Sequence, residues 1–295
     1  MLKIIDVSSY QSDLNVNSVA IDGVIIKATG GNGYVNPHCD THFQQAKATG
    51  KKRGVYHYYS DGFGGDDPIA EANFFVDNIL GYVGDAILVL DWERGGNPHV
   101  GEVAKAKAWL DHVHDRTGVK PIIYMSLSLI TGMDWSSVIS AGYGLWCADY
   151  VSNSTPIPNF SMDSSRDPNP HWDGNVNDVL WQFTSTGRLD GYGANLDCNF
   201  FFGDGNAWDA YAKAPAPVAP IPAPAPVPVP APPVVEPTPP VEAPPVAIPP
   251  VAVPEPPVAL PDPLPPVVPT KTVNPFTQLL NMIIDLILKL IGKKK

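Results

Sequence analysis

Twenty-five of the chain's 34 prolines fall between Ala214 and Thr270. Proline fixes φ and has no backbone N–H, so neither a helix nor a central strand runs through that stretch. The 295-residue chain therefore divides into a body, 1–213, a Pro/Ala/Val-rich linker, 214–270, and a tail, 271–295. The body is long enough to bury a core as one domain. The linker reads as an extended polyproline spacer, which at about 3.1 Å per residue reaches on the order of 170 Å when fully drawn out.

Charge separates the same three parts. The body carries 14 Lys/Arg against 25 Asp/Glu, whereas the tail carries five Lys against the single Asp285. An acidic body argues against nucleic acid as a partner, because phosphate binding needs a basic surface. In the tail, Thr277, Asn281, Asp285 and Lys289 recur every fourth residue among Leu, Ile and Met. That pattern predicts an amphipathic cationic helix, too short and too polar to span a bilayer, lying on an anionic membrane surface. Self-association through its wide apolar face is the alternative. Only Lys3 and a few apolar residues precede Asp6, so the expectation is a chain without a signal peptide, made in the cytoplasm. Cys39, Cys147 and Cys198 show no CxxC spacing and read as reduced, buried thiols. His112 and His114 stand two apart on an expected helix, hence on different faces, and no metal or cofactor is expected.

Along the body, eight short apolar runs alternate with amphipathic or loop segments: 3–6, 23–27, 54–59, 86–93, 120–124, 144–150, 178–183 and 196–200. Helices are expected over 37–50, from Asp67-Pro68 to Leu80, and over 100–118, with Asp67 as N-cap and Gly50 and Gly118 as C-terminal glycines. Strands alternating with helices predict an α/β fold with parallel strands, here an irregular (β/α) barrel of eight strands with helices mainly in its first half. Polar or aromatic residues close nearly every run, including Asp6, Lys27, Tyr58, Tyr124, Tyr150, Gln182 and Asp197. In such barrels the strand ends converge on the active site.

The run 87–90 leads directly into Asp91-Trp92-Glu93. Residues two apart on a strand leave the same face, so Asp91 and Glu93 point together and Trp92 points away. Two close carboxylates resist ionising together, which suits a division between a proton donor and a charged partner, as glycosidic hydrolysis requires. Ion pairing with Lys27 or Arg94, or a metal site, would use the same pair differently. Tyr58, Tyr59, Tyr124, Trp146, Tyr150 and Trp181 are expected at the barrel mouth, where sugars stack on aromatic faces.

The ordered segments IDVSSYQ (5–11), VIIKATGG (24–31), GVYHYY (54–59), LVLDWE (88–93), PIIY (121–124), LWCADY (145–150), LWQFTSTGRLDG (180–191) and LDCN (196–199) closely resemble the glycoside hydrolase family 25 muramidases, the Chalaropsis-type lysozymes used by many phages as endolysins. The resemblance implies an irregular β/α barrel that hydrolyses the β-1,4 bond between N-acetylmuramic acid and N-acetylglucosamine in bacterial peptidoglycan. It implies Glu93 as general acid and Asp91 as the carboxylate steadying the substrate's acetamido group or the charged transition state. Asp6 and Asp197 would complete the acid cluster, with Lys27, Tyr58, Tyr124, Trp146, Tyr150 and Gln182 binding substrate or supporting the acids. A carboxylate or the substrate's own acetamido oxygen would serve the second step equally. Gly30 stands where the family commonly has Glu. Cys198 reads as a buried small residue. The other readings are a chitinase-like glycosidase, which Ile87 and Val89 ahead of Asp91 disfavour, and a barrel that binds glycan without cutting it.

Overall fold

A computed structural model describes residues 1–60, 66–93, 102–152, 154–172 and 179–214. The expected linker and C-terminal helix lie outside these residues, as does Arg94.

The eight expected strands close into a mixed barrel. They are β1 (Leu2–Val7), β2 (Gly23–Gly30), β4 (Lys52–Tyr58), β5 (Ile87–Asp91), β6 (Ile122–Ser126), β7 (Gly144–Ala148), β9 (Leu180–Arg188) and β10 (Leu196–Phe201). Two short strands decorate it: β3 (Tyr34–Val35) pairs with the end of β2, and β8 (Ile157–Pro158) pairs with β9. The strands from β1 through β2, β4, β5, β6 and β7 to β9 pair in parallel, each with the next. β10 then runs antiparallel to both β9 and β1 and completes the circle.

That last strand corrects the expectation of parallel order throughout. A parallel return needs a crossover of a dozen or more residues. Only residues 189–195 separate β9 from β10, so the chain doubles back as a hairpin.

Both faces of most staves are apolar because both are covered. Ile4, Ile25, Ile87, Ile122 and Leu180 fill the barrel floor from inside, together with Phe201, Trp208 and Ala212. The last two belong to α6 (Gly205–Ala212), which corks the end where the parallel strands begin. The Trp208 ring packs 5.1 Å from that of Phe201, and its indole N–H donates to the Arg53 carbonyl at 3.0 Å.

Three long helices clothe the first half: α1 (Cys39–Ala48), α2 (Pro68–Ile79) and α3 (Glu102–Thr117). Among the described residues, the second half has only the α-helices α4 (Leu127–Gly132) and α5 (Ser136–Ser140) before α6. Asp67 caps α2 by accepting from the amides of Ile69 and Ala70, with Pro68 in the first turn, which satisfies donors the helix cannot. Gly50 and Gly118 follow α1 and α3 at φ of +72° and +71°, a conformation that favours glycine. Phe75, Val76, Trp109 and Val113 fill the layer between α2, α3 and the barrel. Each fully buried side chain of this kind contributes about 1.5–3 kcal/mol. Cys39, Cys147 and Cys198 are buried and unbridged.

Candidate active site

The strand alternation that fills the floor with Ile and Leu delivers polar residues to the opposite, open end. Asp6, Lys27, Tyr58, Asp91, Glu93, Tyr124, Trp146, Tyr150, Gln182 and Asp197 all line one cavity of about 360 Å³. These ten are the acids and the substrate-binding or supporting residues named from the sequence; Tyr59 and Trp181, also expected at the mouth, are not among the lining residues. Asp197 arrives differently from the rest. It is the second residue of β10, and an antiparallel strand presents its beginning to the mouth where its neighbours present their ends.

Two amides organise the buried side of the pocket. Gln182 Nε2 and Asn199 Nδ2 both donate to Asp6 Oδ2 at 2.8 Å. Gln182 Oε1 accepts from the hydroxyls of Tyr124 at 2.7 Å and Tyr150 at 2.8 Å. Asn199 Oδ1 accepts from the Trp146 indole N–H at 2.8 Å. The amide orientations are mutually consistent: each nitrogen meets the carboxylate, and each oxygen meets a donor. The Tyr124 and Trp146 rings meet edge to face at 4.6 Å.

At the rim, Glu93 is exposed and accepts a long bond of 3.4 Å from the Tyr58 hydroxyl. Lys27 Nζ sits 4.7 Å from the Tyr58 ring centre and 5.1 Å from that of Tyr34, within cation–π range. Gly30 pairs with Tyr34 and Tyr58 on the flanking strands, so no carboxylate is supplied from that position.

The strand carrying the acid pair is pinned from both sides. The Tyr59 amide donates to the Asp91 carbonyl at 3.0 Å and the Trp92 amide to the Tyr124 carbonyl at 2.9 Å. Trp92 turns outward, as its parity requires, and packs 4.5 Å from the Tyr59 ring. Tyr59 and Trp181 were expected at the mouth but are fully buried in the outer layer. Their neighbours Tyr58, Leu180 and Gln182 take the inner face, and strand parity sends Tyr59 and Trp181 to the other.

On that outer face His57 is also fully buried. Its Nε2 lies 2.9 Å from Glu71 Oε2 and its Nδ1 2.8 Å from Thr29 Oγ1. The Ser60 amide donates to the same Glu71 oxygen at 2.8 Å, fixing the exit of β4 just beyond Tyr58.

The pocket's charges act on one another. Burial raises the Asp197 carboxyl well above the usual carboxylate range, and the charges of Asp6 and Glu93 push it further. Burial raises Asp6 as well, against the lowering effect of its bonds from Asn199 and Gln182. The Tyr56 hydroxyl is pushed up by burial first, then by Asp91, Asp6, Asp197 and Glu93, so it stays protonated at the centre of the acid cluster. The Cys198 thiol is pushed up by burial, then by Asp6 and Asp197, which keeps it from acting as a nucleophile.

Four contributors were not anticipated from the sequence. Tyr56 precedes Tyr58 by two residues and Asn199 follows Asp197 by two, so period-2 parity alone was a usable signal. Ser8 and Tyr10, just past β1, line the same cavity.

Comparison with known proteins agrees with this architecture. The family model for glycosyl hydrolases family 25 matches residues 5–192, so Asp197 lies beyond the matched segment. The N,O-diacetylmuramidase of Chalaropsis sp. is 36% identical over 148 residues, 45% of this chain and 67% of that protein. The crystal structure of the bacterial lysozyme from Streptomyces coelicolor has the same fold, with a TM-score of 0.56 at 24% identity over 72% of this chain and 96% of that one. The catalytic domain of endolysin ply40 from bacteriophage P40 of Listeria monocytogenes gives a TM-score of 0.53 at 25% identity, over 71% and 98% of the two chains. With a family match spanning most of the barrel and a pocket of converging acids inside it, this chain belongs to glycosyl hydrolases family 25.

Proposed function

We propose that this glycoside hydrolase is an N-acetylmuramidase, cutting the β-1,4 bond between N-acetylmuramic acid and N-acetylglucosamine of bacterial peptidoglycan as a bacteriolytic endolysin. The observation that carries the reading is the convergence of Asp6, Asp91, Glu93 and Asp197 on one aromatic-lined pocket. Likeness to the Chalaropsis diacetylmuramidase supports the substrate, and likeness to the ply40 catalytic domain supports the lytic role.

In this reading Glu93, exposed at the rim, gives its proton to the glycosidic oxygen as the C1–O bond breaks, and a water then adds its oxygen to C1 and returns a proton to Glu93. Asp91, buried beside it on the same face, supports the positive charge that develops at C1. Asp197 keeps its proton at neutral pH and donates a hydrogen bond to the sugar, while Asp6 is held by Gln182 and Asn199. Tyr58, Tyr124, Trp146 and Tyr150 supply the faces on which sugar rings lie, and Lys27 balances part of the acidic field. Replacing Glu93 by Gln keeps its shape and removes its proton chemistry. The release of new reducing ends from purified peptidoglycan should then fall by at least about 100-fold with an unchanged melting temperature. Retained activity would sink the assignment.

The enzyme in this proposal is made in the host cytoplasm and reaches the wall after release. The tail, 271–295, then holds it at an anionic membrane surface, a role supported by the Lys-terminated amphipathic pattern of that segment. Deleting Lys271–Lys295 should abolish binding to anionic liposomes. Unchanged binding, with a dimer falling to monomer, would assign the tail to self-association instead.

A further inference from the structure

The acid pocket holds about 360 Å³, near the lower end of ligand pockets, which run roughly 300–1,000 Å³. A glycan polymer does not fit inside it, so the sugars flanking the cut must lie on the rim. One rim residue is unusual. Tyr10 is 90% exposed, against 62% for Leu80 and 58% for Met1, the next most exposed large apolar side chains among the described residues. Its backbone is nevertheless fixed. It occupies a single 3-10 turn, Ser9–Gln11, closed by a capping box. Ser8 Oγ accepts from the Tyr10 amide at 3.3 Å, and Gln11 Oε1 accepts from the Ser8 amide at 3.0 Å. The Gln11 carbonyl in turn accepts from the amide of buried Leu14 at 3.0 Å. A rigid turn thus holds a full aromatic face in water at the edge of the pocket.

We infer that Tyr10 is the stacking platform of an outer glycan subsite, taking a sugar ring adjacent to the pocket on its β1 side. The inference rests on the muramidase reading and extends it to how the polymer is held. A pyranose ring turns C–H bonds toward an electron-rich aromatic face and leaves its hydroxyls to water. A tyrosine held on a fixed turn provides that contact at low entropic cost. β1 stands three strands from β5 around the barrel, so Tyr10 and Glu93 occupy different parts of the rim, as a glycan crossing the mouth requires.

The test uses the full chain and purified peptidoglycan. Tyr10→Ala should raise KM for reducing-end release about three- to tenfold, leave kcat within about twofold, and leave the melting temperature unchanged. Tyr10→Trp should restore KM. An unchanged KM, a loss confined to kcat, or failure of Trp to restore would overturn the subsite. Co-sedimentation of the Glu93→Gln chain with peptidoglycan, with and without Tyr10→Ala, reads the same contact without turnover. A weakening of about three- to tenfold is expected there, and equal retention would overturn the inference. A wild-type chain that releases no reducing ends would remove the muramidase reading alone, and the sedimentation arm would still decide on Tyr10.

Discussion

Asp6 and Asp197 are directly opposed partners across the antiparallel pairing of β1 with β10, two acids facing one another inside an acidic pocket. Burial raises both carboxyls above the ordinary range, and the charge of Asp6 raises Asp197 further. The folded chain therefore keeps protons that an unfolded Asp has lost. That difference is absent below about pH 4 and costs stability progressively as pH rises toward neutrality and beyond. Asp197→Asn mimics the protonated acid and should relieve the cost. A gain of about 2–4 °C in melting temperature at pH 8, worth about 1 kcal/mol in a domain of this size, should vanish at pH 4. A gap independent of pH would show that Asp197 holds no proton.

Gln182 is the hub of the pocket's polar side, serving Asp6, Tyr124 and Tyr150 at once. Gln182→Ala leaves the buried Tyr124 hydroxyl, the half-buried Tyr150 hydroxyl and the buried Asp6 carboxyl short of partners, at about 1–3 kcal/mol. Urea denaturation should register that loss, and turnover should fall at least about tenfold. A neutral substitution would mean that water replaces the amide without loss.

Behind the pocket, Glu71 and His57 are both fully buried. Glu71→Ala leaves His57 Nε2 and the Ser60 amide without their shared oxygen, and should destabilise the fold by about 1–3 kcal/mol for each group left unpaired. Glu71→Gln keeps an oxygen for the amide and should cost less than half of that. Equal losses in urea would indicate that packing volume, rather than the polar contacts, is what Glu71 supplies.

Gly187 faces Leu196 in the β9–β10 hairpin that carries Asp197. A Cβ there would meet Cys198 Sγ at 2.3 Å and the Leu196 carbonyl at 2.8 Å. Gly187→Ala should cost about 1–3 kcal/mol and reduce activity by displacing Asp197. Adding Cys198→Ala should recover part of the stability and not all, because the carbonyl remains. Full recovery would place the whole clash on the thiol.

Much of this architecture was legible because burial writes a strong pattern. Runs such as 87–90 are apolar on both faces, and Asp67-Pro68 and Gly118 mark helix ends by chemistry that tertiary packing does not override. Asp91 and Glu93 share a face by parity alone. The same parity sends Tyr59 and Trp181 to the outer layer and Tyr56 and Asn199 to the pocket. The direction of β10 was also implicit, in the shortness of the 189–195 connection. Ser8 and Tyr10 were less accessible. They lie past the end of a strand, in a turn whose Ser8–Gln11 capping box is local in sequence but carries no strand parity to say which side chains face the pocket. The upward push on the Asp197 carboxyl depends on Asp6, 191 positions away in the chain, which no local pattern reports.

The place of β10 and α6 has a consequence for biosynthesis. β1 is made before the other strands of the barrel, yet one of its two neighbours, β10, and the cork that seals the barrel floor are the last parts of the barrel to be made. Until Leu196–Ala212 have been translated, β1 keeps an open edge and Asp6 lacks both Asn199 and its facing acid, so the pocket cannot exist on a partial chain. The acid cluster is thereby assembled only once the whole barrel segment has been made, by strand order alone.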